Sequence, residues 1–428
     1  MKKSIFIPIL IIMLVFSVCA DDEISIHGFM SQGFMKSNHN NYLAKSSEGS
    51  YEFNETAVNF YKEMDDNLSL GLQLFSRDMG DQGNNTFKLD WGFADYQVND
   101  NYGFRLGKIK MPLGLHNTGR DVDLLRTEIL MPQSVYEEGM RDFMNSVNGF
   151  SYYRNIFTED KGFFEYEILS GTVNIEGDSA YMRNVVTNLS NTGLVLSDFN
   201  FTLYKDNGIS LKWETPVEGL RLGYSYYEAE GDIVADVDAS AVDAQGDLLV
   251  ATYAGPDDTP GTADDVNTAL AMQGAALIAG AAALEASPQK FAVEFPKIYT
   301  MSLEYMWDNY VLTHERRIHE ATLHVPILDQ MEGVNNLGYY TKIDYRINER
   351  LATSLYSSTF YENRHVKTTA RDYQEDVCLS FKYDVKYNFS LKLEYHDMEG
   401  YYQCYNFLNP AGLEKDWNFM AFKATISF

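Results

Sequence analysis

Cysteine, proline, positive charge and long apolar runs are all scarce in this chain. It has three cysteines and 10 prolines among 428 residues, and 34 basic against 61 acidic residues give a net charge of −27. So few cysteines exclude a disulfide-dense secreted scaffold. The acidic excess excludes a nucleic-acid-binding protein, because such a surface repels phosphates.

Apolar stretches occur in only two places. At the N-terminus, two lysines precede the apolar stretch Ile5–Phe16, and Val18-Cys19-Ala20 forms a small-residue cleavage site. This order is typical of an export signal, so we predict a signal over residues 1–20 and a mature chain of residues 21–428. Lipoprotein processing at Cys19 is the disfavoured alternative, because that signal needs a residue smaller than Val18.

The second apolar stretch, Thr268–Ala286, is the one internal segment that approaches a membrane helix. A spanning helix needs about 20 apolar residues. If the protein spans a membrane, it must therefore do so with strands, and the sheet must close because no unpaired backbone edge is stable in lipid. The 30 tyrosines and 26 phenylalanines agree with this, since aromatic residues favour strands.

Segments of roughly ten residues with alternating apolar character repeat along the chain, as expected of tilted membrane strands. We predict an all-β fold, a transmembrane antiparallel β-barrel of about sixteen strands that forms a single domain. The predicted strands are Ile24–Lys36, Glu52–Met64, Asn67–Asp78, Phe87–Val98, Tyr102–Lys110, Ser146–Ile156, Gly162–Thr172, Gly208–Thr215, Gly219–Ala229, Lys297–Trp307, Tyr310–Val325, Asn335–Asn348, Leu351–Glu362, Tyr373–Tyr387, Phe389–Met398 and Trp417–Phe428.

The length of each connection between these strands depends on whether the preceding strand is odd- or even-numbered. Short breaks follow the even-numbered strands, as at Asp65-Asp66 and Asp308-Asn309, and long ones follow the odd-numbered strands. The long ones include Ser37–Tyr51, Met111–Asn145, Val173–Asn207, Glu230–Pro296 and Glu399–Asp416. Short periplasmic turns alternating with long extracellular loops are typical of bacterial outer-membrane barrels. We therefore expect a Gram-negative outer-membrane protein in contact with lipid.

The last strands carry the clearest alternation. Apolar residues such as Leu379 and Phe381 share one face, and polar residues such as Ser380 and Lys382 share the other. This pattern predicts that one face meets lipid or a core and the other meets water. The final strand ends on Phe428 with apolar residues at alternate positions before it, and this resembles the C-terminal signature of outer-membrane barrels.

The segment from Arg105 to Phe143 reads RLGKIKMPLGLHNTGRDVDLLRTEILMPQSVYEEGMRDF. Its first part, Arg105–Gly114, resembles a stretch found in porin families, including those related to phosphate-selective porins. The resemblance implies a homotrimeric channel for passive diffusion of small solutes or ions, whose third extracellular loop folds back into the barrel. That loop is Met111–Asn145 here.

An infolded loop narrows the lumen, so that charges on the loop and the wall set the field that a solute crosses. On the loop we predict Arg120, Asp121, Asp123, Arg126 and Glu128 as constriction residues. The predicted wall residues are Arg105, Lys342, Arg346, Lys382, Lys392 and Lys423. A solvated face with paired neighbours is the alternative interpretation. Selectivity for anions or cations stays open, because the whole chain is acidic and the late wall is basic.

The segment Glu230–Pro296 contains twelve acidic residues and one basic residue, and we predict an acidic extracellular insertion. Asp257, Asp258, Asp264 and Asp265 cluster among turn formers, as oxygen ligands of Ca²⁺ do. No EF-hand spacing is present, so a solvated loop is the favoured interpretation and we predict no bound metal or cofactor. Thr268–Ala286 should form a helix that packs in the barrel mouth as a partial plug or against a neighbouring subunit.

Two cysteines remain after signal cleavage, Cys378 and Cys404, and we predict that they lie close enough for a disulfide. The sequence matches no enzyme motif well. A lipase-type G-x-S-x-G is absent, and the two histidines of His314–His319 are one residue too far apart for a helical zinc-binding motif. We therefore predict a channel and not an enzyme. The alternatives are a structural or adhesive barrel with a blocked lumen and, less favoured, an outer-membrane hydrolase.

Overall fold

Sixteen antiparallel strands close into one barrel in the computed structural model, which describes residues 24–80, 83–175, 179, 182–183, 195–256, 258–262, 265–325 and 330–428. Each strand pairs with its neighbours in sequence, and the first pairs with the last. The predicted fold and strand number are confirmed. The predicted export signal lies outside the described residues.

The strands are β1 Ser25–Ser37, β2 Phe53–Glu63, β3 Leu68–Met79, β4 Lys88–Asn99, β5 Tyr102–Lys110, β6 Ser146–Thr158, β7 Gly162–Ile175, β8 Val195–Glu214, β9 Leu220–Asp238, β10 Gln289–Trp307, β11 Tyr310–Val325, β12 Gln330–Arg346, β13 Leu351–Tyr361, β14 Tyr373–Lys386, β15 Phe389–Gly400 and β16 Asp416–Ser427. The described helices are α1 Arg141–Met144, α2 Ser240–Tyr253 and α3 Thr268–Glu285. Short 3₁₀ turns lie at Asn117–Gly119, Asp123–Leu125, Glu138–Met140 and Asn406–Leu408.

One end of the barrel, the turn end, carries the short connections after even-numbered strands. Several are closed by an Asp or Asn side chain that accepts hydrogen bonds from the backbone just after it. Asp65 Oδ1 accepts from the backbone N–H groups of Asn67 and Leu68 at 2.8 Å, and Asn348 Oδ1 accepts from Leu351 N at 3.0 Å. These local bonds reverse the chain within a few residues, which fixes the register of each hairpin.

The opposite end, the loop end, carries the connections after odd-numbered strands. Seven of them are long, as predicted from the sequence. The eighth differs, because β11 ends at Val325 and β12 begins at Gln330, so that the two strands pair farther than expected. The paired Val325 and Gln330 extend the hairpin beyond the residues whose alternation was visible in the sequence.

The two faces of the barrel wall have opposite character. Large apolar side chains such as Leu379, Leu393 and Phe422 are exposed on the outside, whereas Lys392 and Glu394 point inward and are buried. A water-soluble protein would place these two classes the other way round. Aromatic rings stack on one another near the turn end, as in the pairs Trp307–Tyr310, Tyr310–Tyr345 and Phe164–Trp213.

Strands β8, β9 and β10 are longer than predicted, so the boundaries 173–207 and 230–296 of two predicted loops are wrong. Beyond the apolar exterior the alternation inverts: Ile233, Ala235 and Val237 are buried, while Asp236 and Asp238 are exposed. The strand prediction required apolar residues on the outer face, so it missed this part of β9, where the outer face is acidic. The remainder of the predicted insertion is mainly a helical hairpin.

The hairpin pairs α2 with α3, and α3 matches the predicted helix Thr268–Ala286 to within one residue. A Cβ atom on Gly246 or Gly274 would approach the backbone carbonyl of the other to 2.7 Å, so the two glycines allow the helices to lie close together. Ala281 and Leu284 of α3 join an apolar cluster with Val237 and Phe291 of the extended strands. By length and composition α3 is also the one described helix that qualifies as a membrane span.

Candidate functional site

The connection between β5 and β6, residues 111–145, lies inside the barrel. An irregular segment in that position must satisfy its backbone hydrogen-bonding groups, because it has no strand or helix partner for most of them. Wall side chains supply the partners: Glu394 on β15 accepts from the N–H groups of Ile129 and Leu130 at 2.5 and 3.1 Å. Glu315 on β11 accepts from Leu115 N at 2.9 Å. The sequence-predicted infolding is therefore present, and we call residues 111–145 the lumen loop.

Asp123 of the lumen loop contacts the basic wall of β15 and β16. Its carboxylate lies 2.8 Å from the ammonium of Lys423 and accepts a hydrogen bond from Thr425 Oγ1 at 2.7 Å. Lys392 donates to its backbone carbonyl at 2.8 Å. Burial alone would raise the pKa of Asp123, but the positive charges of Lys423, Lys392 and Arg126 outweigh burial and hold that pKa well below its usual range. Asp123 is thus a buried, ionised anchor.

Glu128 forms a second anchor with Lys342 of β12. The Lys342 ammonium donates to the two carboxylate oxygens of Glu128 at 3.0 and 3.1 Å, and both side chains are almost fully buried. Burial opposes ionisation of this group, yet the charges of Lys342 and Arg126 lower the pKa of Glu128 to about 2. The pair therefore exists as a desolvated salt bridge between loop and wall.

Some of the predicted loop residues do not contact predicted wall residues. Asp121 lies between Arg141 of the loop and Lys110 of β5, and Arg120 pairs with Glu138 at 2.7 Å. On the wall, Arg105 pairs with Asp95 and Glu167, not with a loop acid. Lys382 donates to the backbone carbonyl of Leu124 at 2.8 Å. Arg346 is exposed at the turn end.

These contacts change the role that the sequence predicted for the charged residues of the loop and the wall. Acidic loop residues and basic wall residues were expected to set up a field across the constriction. Glu128 and Asp123 instead touch their lysines directly, so these pairs hold the loop against β12, β15 and β16. The predicted role of the same residues in ion selectivity stays a prediction.

Glu315, which the sequence analysis did not single out, is a central anchor of the lumen loop. Besides Leu115 N, its carboxylate accepts hydrogen bonds from the hydroxyls of Ser302, Tyr136 and Tyr340 at 2.5, 2.6 and 2.7 Å. The signal was present in the sequence, because Glu315 shares the inward face of β11 with Thr313 and Arg317. The same alternation leaves His314 exposed and His319 buried, on opposite faces of the strand.

A cavity of about 610 Å³ lies between the lumen loop and the turn end. Its lining mixes both signs of charge, with Arg221 and Arg346 against Glu304, Asp308 and Asp344, and it includes His116. Arg221 and His116 flank Glu304 at 2.8 and 3.6 Å. Glu128 and Lys342 line the same cavity, so one of the buried anchor pairs borders it together with the more exposed charges.

The disulfide prediction is wrong, since Cys378 and Cys404 are both free. Cys378 points into the lumen from β14 and contacts Ser380 and His396, whereas Cys404 packs among Tyr42, Met398 and Trp417 at the loop end. Two of the four predicted calcium ligands, Asp257 and Asp264, lie outside the described residues. Asp265 accepts a hydrogen bond from Gly261 N at 2.9 Å, as a turn residue does.

Comparison with known proteins gives a likeness of structure only. No family model matches the sequence, and no curated protein matches it. OmpF of Salmonella typhi, solved with daunomycin, is 10% identical, covers 95% of this chain and 98% of its own, and has a TM-score of 0.54. An anion-selective porin from Comamonas acidovorans is 9% identical over 95% and 100% of the two chains, with a TM-score of 0.51. At such identities the likeness shows the fold, a porin-like barrel.

Proposed function

We propose that this porin-like barrel is an outer-membrane porin, a passive diffusion channel for small hydrophilic or charged solutes. The observation that carries the proposal is the lumen loop: it narrows a polar lumen and borders a charged cavity at the turn end. A loop held inside a barrel by ion pairs limits the size of a solute and leaves a path lined by charge. The likeness to the porin fold supports the same function.

Placement in a membrane is supported by the exterior. A band of exposed apolar residues surrounds the barrel, and aromatic rings concentrate near the turn end, where an aromatic girdle of such a barrel meets the lipid headgroups. The inverted alternation in β9 supports a membrane boundary on the other side, because an acidic outer face belongs in water. We place the turns in the periplasm and the loops outside the cell, because short periplasmic turns and long extracellular loops are typical of bacterial outer-membrane barrels.

The test is planar-bilayer conductance of the purified mature protein. We expect discrete, ohmic current steps in potassium chloride, and a liposome assay should show uptake of small sugars that stops above a size limit. A variant that lacks most of the lumen loop should conduct more and admit larger sugars. A barrel that folds normally but passes no ions, with or without the loop, would contradict the proposal.

A structural or adhesive barrel is the second candidate. Contacts of the lumen loop with wall residues from Arg77 on β3 around to Lys423 on β16 favour it, because they occupy much of the lumen. The two functions separate in the same assay. A blocked barrel passes no ions as the intact protein but conducts once the loop is removed, whereas a porin conducts in both forms.

The same proposal includes assembly into a homotrimer and cleavage of the export signal. The resemblance of Arg105–Gly114 to porin sequences implies a homotrimer, which light scattering of the detergent-solubilised protein will measure. N-terminal sequencing of protein from outer membranes should begin at Asp21 if the signal is cleaved after Ala20.

A further inference from the structure

Four side chains of β14 and β15 meet on the inner wall. Asp376 and Cys378 come from β14, and Glu394 and His396 come from β15. Strand alternation turns all four inward, and the register pairs Cys378 with His396. The cluster is enclosed: Cys378 and Glu394 are 0% exposed and His396 is 2% exposed. Thiol, imidazole and carboxylate together form a set of groups that zinc binds in proteins.

The distances within the cluster fit ligands around a common ion. Nε2 of His396 lies 3.7 Å from Sγ of Cys378 and 3.3 Å from Oε2 of Glu394. Zn–S bonds of about 2.3 Å and Zn–N or Zn–O bonds of about 2.1 Å, set at a tetrahedral angle, separate sulfur from nitrogen by about 3.6 Å and nitrogen from oxygen by about 3.4 Å. The observed separations differ from these by small amounts that side-chain adjustment can absorb.

The other side of the imidazole has the partner that a metal-binding histidine needs. Nδ1 of His396 lies 3.1 Å from both carboxylate oxygens of Asp376, and Asp376 is itself held by the hydroxyl of Tyr356 at 3.0 Å. A carboxylate at Nδ1 keeps the proton there and directs the lone pair of Nε2 toward the sulfur and Glu394. The ring is therefore oriented with Nε2 toward Cys378 and Glu394, as coordination through Nε2 requires.

We propose that Cys378, Glu394 and His396 bind a zinc ion on the inner wall, with Asp376 as the positioning residue for the imidazole. A thiolate and a carboxylate balance the two positive charges of the ion, and a water molecule is the natural fourth ligand. Binding replaces the proton of the Cys378 thiol, so affinity falls as the pH is lowered. A purely hydrogen-bonded cluster, with a protonated imidazole between two carboxylates, is the competing explanation, and it gives the thiol no necessary role.

The site is joined to the lumen loop through Glu394. The same carboxylate that faces His396 accepts the hydrogen bonds from Ile129 N and Leu130 N. A metal ion bound to Glu394 fixes the orientation of this carboxylate and with it the attachment of the loop. Zinc should therefore hold the lumen loop to the wall more firmly.

Metal content of the refolded protein is the first test. The full mature chain is refolded in detergent under reducing conditions with zinc or cobalt, since the cluster is buried, and free metal is then removed. We expect about one ion per chain and, with cobalt, the near-ultraviolet charge-transfer band of a thiolate ligand. Cys378→Ser and His396→Gln should lose the ion and the band. Cys404→Ser is the matched control and should keep both, because Cys404 packs in an apolar cluster.

A measurement on the wild-type chain covers the case in which a variant fails to fold. In partial denaturant, zinc should slow alkylation of Cys378 at least tenfold and leave the rate at Cys404 unchanged. The proposal is overturned if the wild-type chain binds no ion, if Cys378→Ser retains it, or if zinc protects the two cysteines equally. None of these readouts uses conduction, so they are independent of the function proposed above.

Discussion

Glu128 and Lys342 are 214 residues apart in the chain, yet their charged groups meet at 3.0 Å inside the barrel. Glu128 lies in the middle of the lumen loop and Lys342 lies on β12, on the inner wall. A buried pair of this kind costs desolvation energy, but removal of one partner leaves an uncompensated charge in an almost fully buried position. The pair thus specifies where the loop rests.

Lys342→Met should destabilise the folded barrel by about 3 kcal/mol, because it leaves the Glu128 carboxylate buried without its main partner. Glu128→Gln should cost less, since Lys342 retains Asp344 at 3.2 Å. The double variant should cost less than the sum of the two. Urea unfolding in lipid vesicles, followed by tryptophan fluorescence, measures all three. Strict additivity would show that the two side chains do not interact.

Lowering the pH should weaken the Glu128–Lys342 ion pair over a defined range of pH. The pKa of Glu128 is lowered from its ordinary value of 4.5 to about 2 by Lys342 and Arg126 against the effect of burial. A depressed carboxyl pKa contributes stability that is fully present above pH 4.5 and is lost as the pH falls toward 2. Unfolding free energies measured between pH 6 and pH 2 should therefore fall less steeply for Glu128→Gln than for the wild-type chain. Equal slopes would contradict this.

Glu137, also on the lumen loop, should have the opposite effect. Burial raises its pKa to about 7 in spite of the nearby charge of Arg317. A raised carboxyl pKa means that ionisation opposes folding, so stability should decline as the pH rises from 4.5 to 7. Glu137→Gln should remove this decline, and the urea midpoint as a function of pH will measure it. A decline that persists in the variant must come from another group.

Gly338 on β12 should be essential for docking of the lumen loop. A Cβ atom added there would overlap the backbone carbonyl of Ser134. We expect Gly338→Ala to cost about 1–3 kcal/mol of stability, as overpacking does, and to make single-channel currents noisier. Gly333→Ala on the same strand is the control, because its nearest neighbours lie at 3.6 Å. Equal behaviour of the two variants would mean that the loop does not rest on Gly338.

Ion selectivity should respond to Arg105, which pairs with Asp95 and Glu167 and remains 27% exposed in the lumen. Arg105→Gln leaves two carboxylates facing the lumen, so the reversal potential in a potassium chloride gradient should shift toward cations. Lys290→Gln removes an equal charge from a side chain that is 65% exposed near the loop end. Salt at about 0.1 M screens charges beyond about 10 Å, so this control should shift the potential little. A larger shift for Lys290→Gln would place the selectivity region at the loop end.

The sequence alone determined the number of strands, the lengths of all connections except the one between β11 and β12 as short or long, and the face on which each late-strand residue lies. These properties are local: a period of two assigns faces, and Asp65 or Asn348 closes a turn within a few residues. The resemblance of Arg105–Gly114 to porin sequences, together with position along the chain, identified residues 111–145 as the connection that folds inward. The outer halves of β8 to β10 were not predicted as strands, because their acidic residues face outward where the pattern required apolar ones.

The tertiary structure decided which inward residues meet. Asp123 and Thr425 are 302 residues apart, and their hydrogen bond depends on the shear of the closed barrel and on the path of an irregular loop across it. Strand alternation turns Cys378 and His396 to the inner face, but only the register of β14 against β15 sets one opposite the other. Likewise Cys378 and Cys404 cannot pair, because the wall holds one in the lumen while the loop end packs the other among aromatic rings. A period of two in the sequence assigns a residue to one face of its strand. The residue that it contacts across the barrel depends instead on all the turns and loops that lie between the two in the chain.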